Sequence, residues 1–148
     1  FNPKRAEKLG VPKGPLWKKL QLGQDVMIEG RIVKSSDVIG SPRPGAKLVY
    51  AVDTRPCSAV RRLASNADLL IHDGSFDDSM RDKAKEYGHS TVSEAANLAR
   101  EARVKQLVLT HISAMYSNPR VLLRQARKIH KRTVIASDLM VIEVKASD

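Results

Sequence analysis

From residue 46 onward the hydrophobic positions alternate between two rhythms. Short continuous apolar runs, "AKLVYAVDT" (46–54), "ADLLIHD" (67–73) and "QLVLT" (106–110), have the length of buried strands and are too short for helices. Between them lie stretches with helical spacing. Val60, Leu63 and Ala64 fall on one side of residues 57–66, the polar residues 77–87 predict a helix, and residues 119–130 predict another. Residues 91–103 are the clearest case, because Ala95, Leu98, Ala99 and Ala102 form one apolar stripe. Ser90 or Thr91 is placed to cap that helix, with Glu94 where a capping box needs its acid. Two closing strands are expected at "TVIAS" (133–137) and "LMVIEV" (139–144). Strand and helix in alternation predict a layered α/β domain with helices over at least one sheet face.

The first 45 residues have a different pattern. Residues 1–22 are basic and interrupted by Pro12, Gly14 and Pro15, which predicts a loop or arm with a short helical turn. A hairpin is expected over residues 25–40 around Glu29-Gly30, followed by a turn at "SPRPG" (41–45). The expected organisation is therefore an arm or linker over residues 1–24 and an α/β domain over residues 25–148.

Charge adds a partner class. The 26 Lys and Arg outnumber the 16 Asp and Glu, for a net charge of +10 and a pI near 10.0. Such an excess favours a polyanionic partner, nucleic acid first. Aromatic residues are 4% of the chain, too few to support a stacking platform for single strands. No apolar run reaches the roughly 20 residues of a membrane span. A single cysteine, Cys57, excludes an internal disulfide and suits a reducing, cytoplasmic compartment. Cys57 itself is expected to be a small buried residue near a helix start.

Candidate chemistry gathers where the strands end. The three apolar runs finish in "DTRPCS", "HDGSF" and "THIS", and "GHST" precedes the helix at 91–103. Sites in α/β proteins commonly lie beyond the carboxyl ends of strands. Each loop has a plain structural explanation alone: Asp53 as a helix cap, His72 as a core residue, His111 beside a helix start. Together they point to one shared site. Asp and His are the ligands of hydrolytic zinc sites, where a carboxylate bridges two metals. The four histidines include no HxH pair, so this chain alone is short of ligands for two metals.

The ordered set "VYAVDTRPC", "ADLLIHDGSF", "GHSTVSEAANLA" and "LVLTHIS" resembles the ribonuclease Z family, metallo-β-lactamase-fold endonucleases that remove the 3′ trailer from precursor tRNA. The segment "LGVPKGPLWKKLQLG" is similar to the foot of that family's tRNA-gripping arm. The resemblance implies the C-terminal half of an αββα sandwich with a basic N-terminal arm segment. It implies that Asp53 bridges two zinc ions and that His111 is a terminal ligand of one. It implies that His89 donates a proton to the leaving oxygen, paired with Asp73, where the family commonly has glutamate. Lys13, Lys18, Lys19 and Arg55 would contact RNA. The family's HxHxDH motif is not in these residues, and its remaining ligands would lie before Phe1. This chain alone is then expected to bind little metal and to be inactive, and a homodimer or an N-terminal half is expected as its partner. Val52 and Met115 also depart from the family pattern.

The alternative reading is a degenerate, non-catalytic module of the same fold that binds RNA or a partner subunit. A small-molecule hydrolase is a third, opposed by the basic arm and charge. Trp17 is expected to anchor the arm's base, with stacking on RNA as its alternative. His130 is expected at a solvated basic helix end. Asp138 is either a turn residue or a neighbour of the site. Half of a two-sheet sandwich would also leave an apolar sheet face uncovered.

Overall fold

The computed structural model describes residues 1–41 and 45–144. The chain forms two compact units, divided after Arg43. The division expected after residue 24 is thus displaced, because the hairpin packs with the helices before it. Most of the turn expected at residues 41–45 lies outside the described residues.

In the first unit, residues 1–22 hold two helices instead of the expected arm, α1 (Pro3–Lys8) and α2 (Pro15–Gln21). Pro15, expected to interrupt structure, starts α2, as Pro3 starts α1. Pro3 and Pro15 occupy first-turn positions, where the missing N–H costs nothing. Asn2 Oδ1 caps α1 by accepting from Arg5 N at 3.1 Å. The hairpin is present as expected: β1 (Val26–Ile28) pairs antiparallel with β2 (Arg31–Val33). Glu29 and Gly30, at φ +49° and +76°, make the left-handed turn between them. Ala6, Val11, Leu20, Val26, Val33 and Val38 form this unit's small core. Trp17 is the expected anchor, with Nε1 donating to the Val11 carbonyl at 2.9 Å.

The second unit is a four-stranded parallel sheet in the order β3 (Leu48–Ala51), β4 (Leu69–Asp73), β5 (Gln106–Thr110), β6 (Thr133–Ile135). The connections hold α3 (Ser58–Leu63), α4 (Arg81–Glu86), α5 (Val92–Glu101) and α6 (Arg120–Ile129). The register pairs Val49 with Leu70 and Leu70 with Leu107. These residues therefore share a face with Leu109, two positions on. They pack with Ala95, Ala99, Leu122 and Ala126 of α5 and α6. On the other face Leu69 and Val108 are buried, while Leu48 and Tyr50 of the edge strand remain exposed. On this face of the sheet the large apolar side chains left exposed are those of β3.

Thr91 is the cap of α5, and the capping box with Glu94 is complete. The final expected strand is absent: residues 139–144 join no sheet. Leu139 adopts φ +61° and turns the chain away, leaving Leu139 and Val141 exposed. Cys57 is exposed, not buried, at the N-cap position of α3, where its own backbone is extended. His130, expected at a solvated helix end, is instead half-buried. Its ring nitrogens lie 2.9 Å from the Val104 carbonyl and 3.2 Å from Thr133 Oγ1, tying the end of α6 to the turn before β5. No described helix is long and apolar enough to cross a membrane.

Candidate metal centre

The carboxyl ends of β3, β4 and β5 deliver Asp53, Asp73 and His111 to one edge, and the turn before α5 brings His89. One ligand-type atom from each lies within 4.8 Å of all the others. The parallel register makes this unavoidable: Ala51, His72 and Leu109 align across the three strands, so the residues just after them emerge side by side.

Asp73 is the centre of the arrangement. Its side chain is fully buried, and each oxygen has a separate task. Oδ1 accepts from Ser75 N at 3.0 Å, Ser75 Oγ at 2.9 Å and Ser90 N at 3.1 Å. Oδ2 faces His89 Nδ1 at 3.1 Å and His111 Nδ1 at 3.3 Å. Burial pushes the carboxyl up, but the bonds from Ser75, Ser90 and His89 outweigh it and hold Asp73 below the usual carboxylate range. A carboxylate kept anionic at that depth orients two imidazoles at once.

Asp53 and His111 are the exposed members, with side chains 71% and 44% accessible. Both adopt left-handed backbone, φ +55° and +60°. Non-glycine residues hold such angles where the surroundings impose them, often at functional sites. Asp53 Oδ1 lies 3.3 Å from His89 Nδ1, so that nitrogen faces two carboxylates. Two carboxylates and two imidazoles, open to solvent on the Asp53 and His111 side, form a donor set that fits a divalent metal of borderline softness.

The loop carrying Asp53 is braced by Arg55. Its guanidinium donates to the His89 carbonyl at 2.6 Å and pairs with Glu94 at 2.5 Å. Arg55 was expected on RNA; its hydrogen bonds are spent inside the fold, linking the Asp53 loop, the His89 turn and the α5 cap. Ser90 Oγ adds a 2.6 Å bond to the Thr54 carbonyl. His72 is the core residue expected, fully buried with Nδ1 2.8 Å from the Asp73 carbonyl. Burial pulls its imidazole below the ordinary value. Asp138 lies in an exposed turn outside the cluster. Lys13, Lys18 and Lys19 are exposed on the first unit; Lys13 pairs with Glu7 at 3.0 Å and sits 5.7 Å from the Trp17 ring centre.

Ser75 was not anticipated. Its hydroxyl binds Asp73 and the His111 carbonyl, at 2.8 Å for the latter, and lies 3.1 Å from His111 Nδ1. The signal was present in "DGS", since an aspartate two residues before a serine favours a local side-chain turn.

Comparison with known proteins places this geometry. The family described as "Beta-lactamase superfamily domain" matches residues 33–112. Ribonuclease Z from Methanosarcina mazei is 50% identical over 145 residues, 97% of this chain and 48% of that protein. Ribonuclease Z from Archaeoglobus fulgidus is 49% identical over 146 residues, again 97% of this chain and 48% of the relative. The chain therefore spans about half the length of the curated relatives it matches. Among solved structures, the metallo-β-lactamase fold protein YhfI from Bacillus subtilis aligns with a TM-score of 0.56 at 27% identity, covering 72% of this chain and 39% of that one.

Proposed function

The chain belongs to the β-lactamase superfamily, and on that premise we propose that it supplies the acid-and-metal half of an endoribonuclease that removes the 3′ trailer of precursor tRNA. The observation that carries the reading is the convergence of Asp53, Asp73, His89 and His111 within 4.8 Å. Near 50% identity to two ribonucleases Z across almost the whole chain supports the substrate.

Asp53 and His111 would hold the metal, zinc by the chemistry of the donors. When bound, the metal supplies Lewis-acid polarisation of a phosphate oxygen. The chain's own residues do the rest. Asp73 and Asp53 both face His89 Nδ1, which keeps a proton there and leaves Nε2 to donate to the leaving oxygen. The anionic Asp73 holds the ring in the orientation this donation needs. Ser75 and Ser90 hold Asp73 in register, and Arg55 fixes the backbone of His89. Asp73 is one methylene shorter than glutamate, yet its 3.1 Å contact with His89 is made.

The resemblance implies that further ligands come from an HxHxDH motif these 148 residues lack, so we place activity in the assembled protein and not in this chain alone. The exposed Leu48 and Tyr50 on the edge strand support an apolar partner there, the N-terminal half or a second copy in a homodimer. The lone, exposed Cys57 suits a reducing cytoplasm.

The test is cleavage of a 3′-labelled precursor tRNA by this chain supplied with the N-terminal half of the Methanosarcina mazei relative. Cleavage that is lost in His89→Ala supports the reading. No cleavage, where the relative's own two halves cleave, contradicts it.

A further inference from the structure

Between Glu101 and Asp138 the chain carries eight Lys and Arg and no acidic residue. Half of this charge is on α6. Arg120, Arg124 and Lys128 are spaced by four and so lie on one line along the helix, opposite the buried Leu122 and Ala126. All three are exposed, and none forms an ion pair among the described residues. Arg127, on the same side, donates to the Thr133 carbonyl at 2.8 Å.

Stability does not explain this helix. Like charges at a spacing of four repel, and Arg120 in the first turn opposes the helix dipole, where an acid would help. The first turn of α6 has no acid, and its N-cap residue, Pro119, offers no side-chain acceptor; Asn118 Oδ1 accepts from Arg120 N at 3.1 Å instead. In the same unit α5 follows the opposite pattern, with Glu94 in its capping box and Glu101 paired to Arg61. A helix that breaks these local rules is a candidate for a charged partner. The segment leading into α6 and the helix's middle turn are also tied to the loop that follows β4: Asp77 N donates to Tyr116 Oη at 2.9 Å, and Asp78 N donates to Gln125 Oε1 at 3.4 Å. The helix has no aromatic residue on which a base could stack. From Arg120 to Lys128 it rises about 12 Å as a rigid rod.

We propose that the Arg120, Arg124 and Lys128 face of α6 is a docking surface for the phosphodiester backbone of double-helical RNA. The choice of RNA as the polyanion rests on the nuclease reading above. The charge line reads the backbone and no sequence, and it leads toward the site.

The test is the salt dependence of binding to a labelled RNA hairpin by fluorescence anisotropy. The variant Arg120→Gln/Arg124→Gln/Lys128→Gln keeps helix-forming residues throughout. It should lower the slope of log affinity against log salt by about 2 to 3, the effect of three lost phosphate contacts. The matched control Arg62→Gln/Lys85→Gln/Arg103→Gln should change it by less than about 1, and Arg120→Lys/Arg124→Lys should keep the wild-type slope. Equal changes in both triple variants, no change in either, or no binding of the hairpin would overturn the proposal. Circular dichroism melting of each variant separates loss of fold from loss of contact. The result is distinguishable from failure of the nuclease reading, because His111→Ala removes the metal ligand without touching α6 and should leave the slope unchanged.

Discussion

Asp73 Oδ2 lies 3.1 Å from His89 Nδ1, and the same oxygen lies 3.3 Å from His111 Nδ1. One buried charge thus sets the orientation of the proposed acid and of the proposed ligand. Asp73→Asn keeps an acceptor for Ser75 and Ser90 but removes the charge. In the assembled enzyme it should reduce cleavage by about 10²-fold or more, with binding of the RNA unchanged. Single-turnover kinetics beside an affinity measurement would separate the two.

The brace between Arg55 and Glu94 makes a different prediction. Glu94 serves both the ion pair and the capping box, so Glu94→Ala should destabilise the fold by about 1 to 2 kcal/mol. Arg55→Lys keeps a charge but cannot serve Glu94 and the His89 carbonyl with one planar fork. It should leave the melting temperature near wild type while lowering the rate of cleavage with little effect on KM.

Gly74 follows Asp73 in the turn that carries the site. A Cβ there would lie 3.0 Å from Leu109 Cδ2 and 3.2 Å from Leu109 Cβ, in a core position that cannot retreat freely. Gly74→Ala should cost about 1 to 3 kcal/mol, measured by chemical denaturation. Gly74→Ala/Leu109→Ala should relieve the clash and cost less than the sum of the two single changes.

Acid should weaken the fold through His72. Burial favours its neutral form, so its folded pKa lies below the ordinary 6.5 and the unfolded chain binds the proton more readily. Stability is then whole above about pH 6.5 and declines as pH falls from there toward the folded value. His72→Asn retains a donor for the Asp73 carbonyl and does not titrate. Denaturation at pH 7.5 and pH 5.5 should show a smaller acid loss in the variant than in wild type; equal losses would place the sensitivity elsewhere.

The sheet and its helices were legible because their apolar runs and stripes are continuous: "ADLLIHD" could only be buried, and Thr91 with Glu94 announced the start of α5. The same logic put Asp53, Asp73 and His111 on one edge, since strand ends in a parallel sheet lie together; His89 and its pairing with Asp73 came from the family resemblance. What failed lay where a residue has two uses. Pro3 and Pro15 begin helices as well as break them, and only tertiary packing decided which. The mostly apolar residues 139–144 read as a strand, but the turn at Leu139 denies them a neighbour. Arg55 reads as a free cation until Glu94, 39 residues later, is found beside it. Long-range pairings of that kind leave no local pattern.

The central claim is that Asp53, Asp73 and His111 at the strand ends and His89 before α5 form one metal-binding acid site. Titrating zinc into the assembled protein, with only this chain's imidazoles labelled, and following their signals by NMR tests it most directly. The four histidines are two inside the cluster and two outside it. Zinc should shift His111 and His89, leave His72 and His130 in place, and lose its effect in Asp53→Ala. Shifts centred on His72 or His130, or no response at any imidazole, would contradict the account.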